Sequence, residues 1–182
     1  MRILPLLLPL LLFPTLSVPA QTPAWSTYGT GCAQWIAPDQ ILNQRLDPVT
    51  SKIIWNLPRI GGEFGVMINR QFSVGIYDCA SLLFIGPSNT RYLGLKLPLT
   101  VPLDIQGRNW GPCLLTAIQA VLPGRRFCYG SGCWELSLPI PNDTALLGVS
   151  VYMQWAVLYE KFGNASCTLL RYSDGGHALI GR

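Results

Sequence analysis

Charge is scarce in this chain. Asp, Glu, Lys and Arg make up only 12% of its 182 residues, and His177 is the sole histidine. So few charges alongside six tryptophans exclude a solvated, disordered chain. The net charge of +4 is spread out, with Arg125-Arg126 the only adjacent basic pair, so the clustered stripe that nucleic acid requires is missing. There is no C-x-x-C and no second histidine, which argues against zinc. No EF-hand string is present, and the turn reading of Asn142-Asp143 outweighs calcium. No cofactor is expected. No G-x-S-x-G occurs, and Gly130-Ser131-Gly132 lacks its spacing. Long helices are also disfavoured, because 18 glycines and 15 prolines interrupt the chain.

What is present begins with an apolar run, Ile3 to Leu16, after Met1-Arg2 and before the small-residue pattern Val18-Pro19-Ala20. This reads as a secretory signal over residues 1–20, with Gln21 opening the mature chain. The run falls short of the ~20 apolar residues that span a bilayer and is broken by Pro5, Pro9 and Pro14. No stable span is expected after its removal. Residues 21–182 form one domain with enough chain for a hydrophobic core. The expected location is secreted or at the cell envelope.

The six cysteines, Cys32, Cys79, Cys113, Cys128, Cys133 and Cys167, fit disulfides in an exported chain. They allow 15 connectivities, all open from sequence. Cys128 and Cys133 flank a turn-rich spacer and could close a local loop; a Cys32–Cys113 link would close one of about 80 residues. That choice leaves Cys79 with Cys167.

Along the chain, residues 25–50 look like a loop-rich opening segment. Ser51 to Leu57 and Glu63 to Ser73 read as strands joined at Gly61-Gly62, and Ser81 to Ile85 as a short strand. Leu95 to Ile105, with Pro98 and Pro102, suits an edge strand or an extended crossing segment. Cys113 to Val121 has helix-like apolar spacing but is short. Phe127 to Ile140 suggests a hairpin around Cys128 and Cys133, and Asn142-Asp143-Thr144 a turn or short helical start. Leu147 to Leu158 is the clearest strand: Leu147, Val149, Val151, Met153, Trp155 and Val157 alternate with a mixed face. Thr168 to Tyr172 and His177 to Ile180 would close the sheet, with Asp174-Gly175-Gly176 as the turn. About eight short strands predict an all-β, disulfide-stabilised antiparallel β-sandwich.

Several stretches, in order, carry a resemblance: Tyr28-Gly-Thr-Gly-Cys32, Leu82-Leu-Phe-Ile-Gly-Pro-Ser88, Leu97-Pro-Leu with Leu103-Asp104, Gly111-Pro-Cys113-Leu, Leu138-Pro-Ile-Pro-Asn142 with Leu147-Gly148, and Val151-Tyr-Met-Gln-Trp155-Ala-Val157. Over residues 25–181 the chain resembles an uncharacterised β-sandwich module that recurs, often C-terminally, in exported proteins of planctomycete-type bacteria. The resemblance implies the sandwich fold and pairs Cys32 with Cys113. It implies no activity, and this chain adds Cys79, Cys128, Cys133 and Cys167 to the pattern.

Three functional readings follow. The preferred one is an exported, non-catalytic module binding a surface polysaccharide or envelope protein. Trp35, Trp110 and Trp134 lie near cysteines or loops, where rings can stack on sugars or anchor a partner; packing against disulfides is the alternative for each. The second reading is a structural or assembly module offering a β-edge near Leu97 to Leu103. The third is a small secreted hydrolase, using His177 with Ser173 and Asp174, or a facing carboxylate pair drawn from Asp39, Asp47, Glu63, Asp78, Asp104, Glu135, Asp143, Glu160 and Asp174.

Overall fold

In the computed structural model, residues 21–33, 39–47, 49–69, 76–104, 107, 110–126, 134–161 and 167–182 are described. Residues 1–20, expected to be a signal, and Trp35, Cys128 and Cys133 lie outside them. Within the described residues there is no α-helix, and the frequent glycines and prolines divide the chain into sixteen strands, twice the number expected. In order these are β1 (Ala24–Tyr28), β2 (Cys32–Ala33), β3 (Gln40–Leu42), β4 (Gln44–Leu46), β5 (Ile53–Trp55), β6 (Glu63–Asn69), β7 (Ile76–Gly86) and β8 (Arg91–Tyr92). Then follow β9 (Leu95–Lys96), β10 (Leu99–Pro102), β11 (Trp110–Leu114), β12 (Ala120–Pro123), β13 (Arg125–Arg126), β14 (Trp134–Pro139), β15 (Ser150–Lys161) and β16 (Leu169–Leu179).

Two antiparallel sheets make the sandwich. The larger runs β1-β16-β15-β7-β12, with β2 also paired to β16; the smaller runs β13-β14-β6-β3. Their facing side chains form one core. Ile41, Phe64, Val66, Ile68 and Trp134 come from the smaller sheet and meet Leu83, Met153, Trp155, Val157 and Ala178 from the larger. The odd-numbered face of β15 therefore points into this core, as its alternation predicts. The strand starts at Ser150 rather than Leu147, and Val149 is exposed.

The even-numbered face of β15 is covered as well. A hairpin of β10 and β11 lies across it, and Val101, Leu103 and Cys113 pack with Phe84, Ala156 and Tyr172. Gln154 fixes this layer. Fully buried, it accepts from Leu115 N–H (2.9 Å) and donates Nε2 to the carbonyls of Cys113 (2.7 Å) and Ser173 (2.8 Å). The proline-bearing segment divides between two hairpins, with Leu95–Lys96 paired to β8 and Leu99–Pro102 to β11, and a two-stranded ladder accommodates Pro102 on its edge.

Other expectations fail for physical reasons. The described residues of the opening segment supply most of β1 and all of β2, β3 and β4, and contribute to both sheets. Cys113 to Val121 is not helical. Cys113, Leu114, Leu115 and Ala117 are buried because the extended chain lies against the larger sheet, with Ala117 N–H bonded to Ser88 O (2.8 Å) and Gln119 N–H to Ile85 O (2.8 Å), whereas Val121 is exposed on β12. Asp174-Gly175-Gly176 is no turn, since β16 runs straight through it with a bulge at Ser173-Asp174 opposite Trp155. The bulge is patched by Ser173 Oγ, which accepts from Trp155 N–H (3.0 Å) and donates to Asp174 O (2.6 Å). Gly175 and Gly176 are tolerated in the strand because the rings of Tyr28 and Trp25 occupy the space a Cβ would need. Gly61-Gly62 precedes β6, but β5 pairs with β4 rather than with β6.

Two disulfides join Cys32 to Cys113 and Cys79 to Cys167, with Cα–Cα distances of 5.5 and 6.2 Å. Cys79 sits at a bulge in β7, between the partners of Leu158 and Tyr159. β13 pairs with β14 as the Phe127–Ile140 hairpin requires, but the Cys128–Cys133 loop lies outside the described residues.

Candidate functional site

The β4–β5 hairpin is a separate two-stranded sheet that packs on β6 at Gly65 and is fastened there by side chains. Asn56 mimics a strand partner for Gly65: its Oδ1 accepts from Gly65 N–H (2.7 Å), and its Nδ2 reaches Gly65 O (3.3 Å) and Asn43 O (3.1 Å). Asn43 returns a bond from Nδ2 to Asn56 O (2.9 Å). Glu135, on β14, accepts from Leu46 N–H (2.8 Å). At the hairpin tip, Asp47 accepts from the N–H groups of Val49 (2.8 Å) and Thr50 (3.2 Å), and these bonds hold its carboxyl below the usual range.

Because β5 alternates, Asn56 and Ile54 face inward while Ile53, Trp55 and Leu57 face out. Trp55 is 68% exposed. It borders an open cleft of about 560 Å³ whose polar wall includes Arg45, Arg59 and Glu63. Arg45 Nη1 and Glu63 Oε2 form an ion pair of 3.1 Å. An indole ring presented on a braced hairpin beside charged groups can stack on a sugar face or seat in a partner's pocket.

The tryptophans singled out from sequence fall elsewhere. Trp134 is only 8% exposed; it points into the sandwich against the larger sheet, so it is a core residue and not an exposed platform. Trp110 opens β11 opposite Pro102, in a different layer from Trp134. Trp35 lies outside the described residues. Trp55 was missed because Ile53-Ile54-Trp55 reads as a buried strand. The nearest sequence signal is the pair Asn43 and Asn56, whose amides stand in for a ladder.

His177 lies on the outer face of the larger sheet, stacked on Tyr152 with ring centroids 4.7 Å apart. Its Nε2 is 3.0 Å from Ser150 Oγ and its Nδ1 3.4 Å from Ser26 Oγ, so each ring nitrogen faces a hydroxyl. Tyr28 stands edge-on to Tyr152 and hydrogen-bonds Thr116 (2.5 Å); burial pushes its phenol up to about 12. Ser173 and Asp174 do not join His177. Ser173 serves the bulge, and Asp174 Oδ1 accepts from Ile41 N–H (2.6 Å), binding β16 to the smaller sheet. Burial raises the Asp174 carboxyl, although that hydrogen bond works in the opposite direction.

Other carboxylates are likewise engaged in the fold. Asp39 forms a buried ion pair with Arg171, beneath the ring of Tyr159. Asp143 accepts from Ala145 N–H (2.9 Å), capping a single 3₁₀ turn over Thr144–Leu146. Among the described residues no group of three or more His, Cys, Asp or Glu side chains could hold a metal ion, and no helix is long and apolar enough to cross a membrane.

Fold and site together define a disulfide-linked, all-β protein of two packed antiparallel sheets, carrying an aromatic cleft on an attached hairpin. No protein-family model, curated protein or solved structure matches the chain.

Proposed function

We propose that this protein is exported and binds a surface polysaccharide, without catalysing a reaction on it, through the cleft at Trp55. The observation that carries this reading is the exposure of the Trp55 ring on a hairpin held by five side-chain amide and carboxylate bonds to backbone. A large aromatic left in water costs hydrophobic free energy, and bracing it loses little further entropy on binding. Two disulfides suit an oxidising compartment, in keeping with export. Among the described residues His177 meets two serine hydroxyls and a tyrosine ring, and no acid of the kind a triad uses to orient its base.

A protein partner is the second reading, favoured by the outward row of Ile53, Trp55 and Leu57, exposed by 52%, 68% and 38%. The deciding experiment is binding of the oxidised protein and its Trp55→Ala variant to a polysaccharide panel and to envelope proteins of the host. Saturable glycan binding lost in the variant supports the proposal. Retention by envelope proteins alone transfers the cleft to the second reading, and binding to neither refutes both.

A further inference from the structure

Resting on the reading of the Trp55 cleft as a glycan site, we infer that its polymer is anionic, carrying carboxylate or sulfate groups that pair with Arg59. Neutral sugars are recognised by amide and carboxylate side chains around a stacked ring, and here the amides are bound to backbone and the carboxylate is shared with Arg45. Both ends of the Asn56 amide bond backbone groups, and Asn43 is buried and bonded to Asn56 O. The Glu63 carboxylate takes Arg45 Nη1 at 3.1 Å and Ser137 Oγ at 3.4 Å through the same Oε2. Arg45 and Glu63 therefore balance each other.

Arg59 remains. It is exposed, lines the same cleft, and has neither ion pair nor side-chain hydrogen bond among the described residues. Its backbone is well fixed: Arg59 bridges to Gly181, and its carbonyl accepts from Gly62 N–H at 3.1 Å. The cleft thus offers one stacking ring and one uncompensated guanidinium on an anchored backbone. A guanidinium matches a carboxylate or sulfate through two parallel N–H bonds, which a hydroxyl cannot accept in the same way.

The test is affinity measurement for polygalacturonate, dextran sulfate, and neutral dextran and cellulose, using the oxidised protein, Trp55→Ala and Arg59→Gln. Both substitutions are at exposed positions, and matched melting temperatures establish that the variants are folded. The expected result is preference for an acidic polymer that weakens with salt, with at least about a tenfold loss in Arg59→Gln. The two acidic polymers separate carboxylate from sulfate. Binding to neutral polymers that depends on Trp55 but not on Arg59 overturns the anionic inference and leaves the glycan site standing. Acidic-polymer binding that neither substitution changes overturns the site itself. No binding to any of the polymers overturns both.

Discussion

Replacing Gln154 with methionine tests the claim that one buried amide holds the covering layer onto the larger sheet. The two side chains are similar in volume, so the change removes hydrogen bonds without opening a large cavity. Leu115 N–H loses its acceptor, and the carbonyls of Cys113 and Ser173 each lose a donor. Stranding the N–H costs about 1–3 kcal/mol and each carbonyl bond contributes about 1 kcal/mol, for a total near 3–5 kcal/mol. Domains of this size have about 5–15 kcal/mol in all, so the loss is a large share. At about 2–4 °C per kcal/mol, melting falls by roughly 6–20 °C. Calorimetry on the oxidised protein reads this directly, and Gln154→Glu adds a check on amide orientation. Glutamate keeps the acceptor for Leu115 but turns an anionic oxygen toward two carbonyls, so at neutral pH it destabilises more than methionine does. A drop below about 3 °C for Gln154→Met refutes the structural role, and a milder effect from glutamate refutes the orientation.

Trp134→Ala and Trp55→Ala should separate cleanly: the buried ring costs about 3–5 kcal/mol, whereas the exposed one leaves stability within about 0.5 kcal/mol. Equal melting shifts would contradict their placement. For Asp174, burial raises the folded pKa above the ordinary 3.8, so the folded chain holds the proton more tightly than the unfolded one. Its contribution to stability is complete below the unfolded pKa and is lost as pH rises through the folded one. Asp174→Asn keeps an oxygen for Ile41 N–H and removes that slope, so urea midpoints should favour the variant increasingly toward neutral pH; parallel pH curves would count against it. Replacing Cys32 and Cys113 together with serine removes a cross-link spanning 81 positions, worth about 4.5 kcal/mol in the chain-entropy model. An unchanged denaturation midpoint would show that the covering layer stays in place without it.

The legible parts of this fold are those where one physical constraint acts at a time. The odd positions of β15 alternate because a sheet face is buried, and the strand emerges from that pattern. Where two constraints overlap, the pattern misleads. The helix-like apolar spacing of residues 113–121 joins two unlike pieces, a stretch around Leu114 and Leu115 buried against the sheet's outer face, where Gln154 of another strand binds it, and the start of β12, where Val121 is exposed. Gly175 and Gly176 carry every mark of a turn, and what keeps them extended is a pair of aromatic rings some 150 positions away. The site was obscured for the same reason. Trp134 near a cysteine and Trp55 in an apolar run have misleading neighbours, because exposure depends on which strand pairs with which. The expected Cys32–Cys113 and Cys79–Cys167 pairs are present, whereas the Cys128–Cys133 loop is outside the described residues.

The order of those four cysteines has a consequence for resistance to proteolysis. In sequence the cross-links interleave, since Cys79 lies inside the loop closed by Cys32–Cys113 and Cys113 inside that closed by Cys79–Cys167. A protease that cuts the backbone once, anywhere between Cys32 and Cys167, therefore leaves two fragments still covalently joined, and a cut between Cys79 and Cys113 leaves them joined twice. Such a nicked molecule migrates at full mass until a reductant is added.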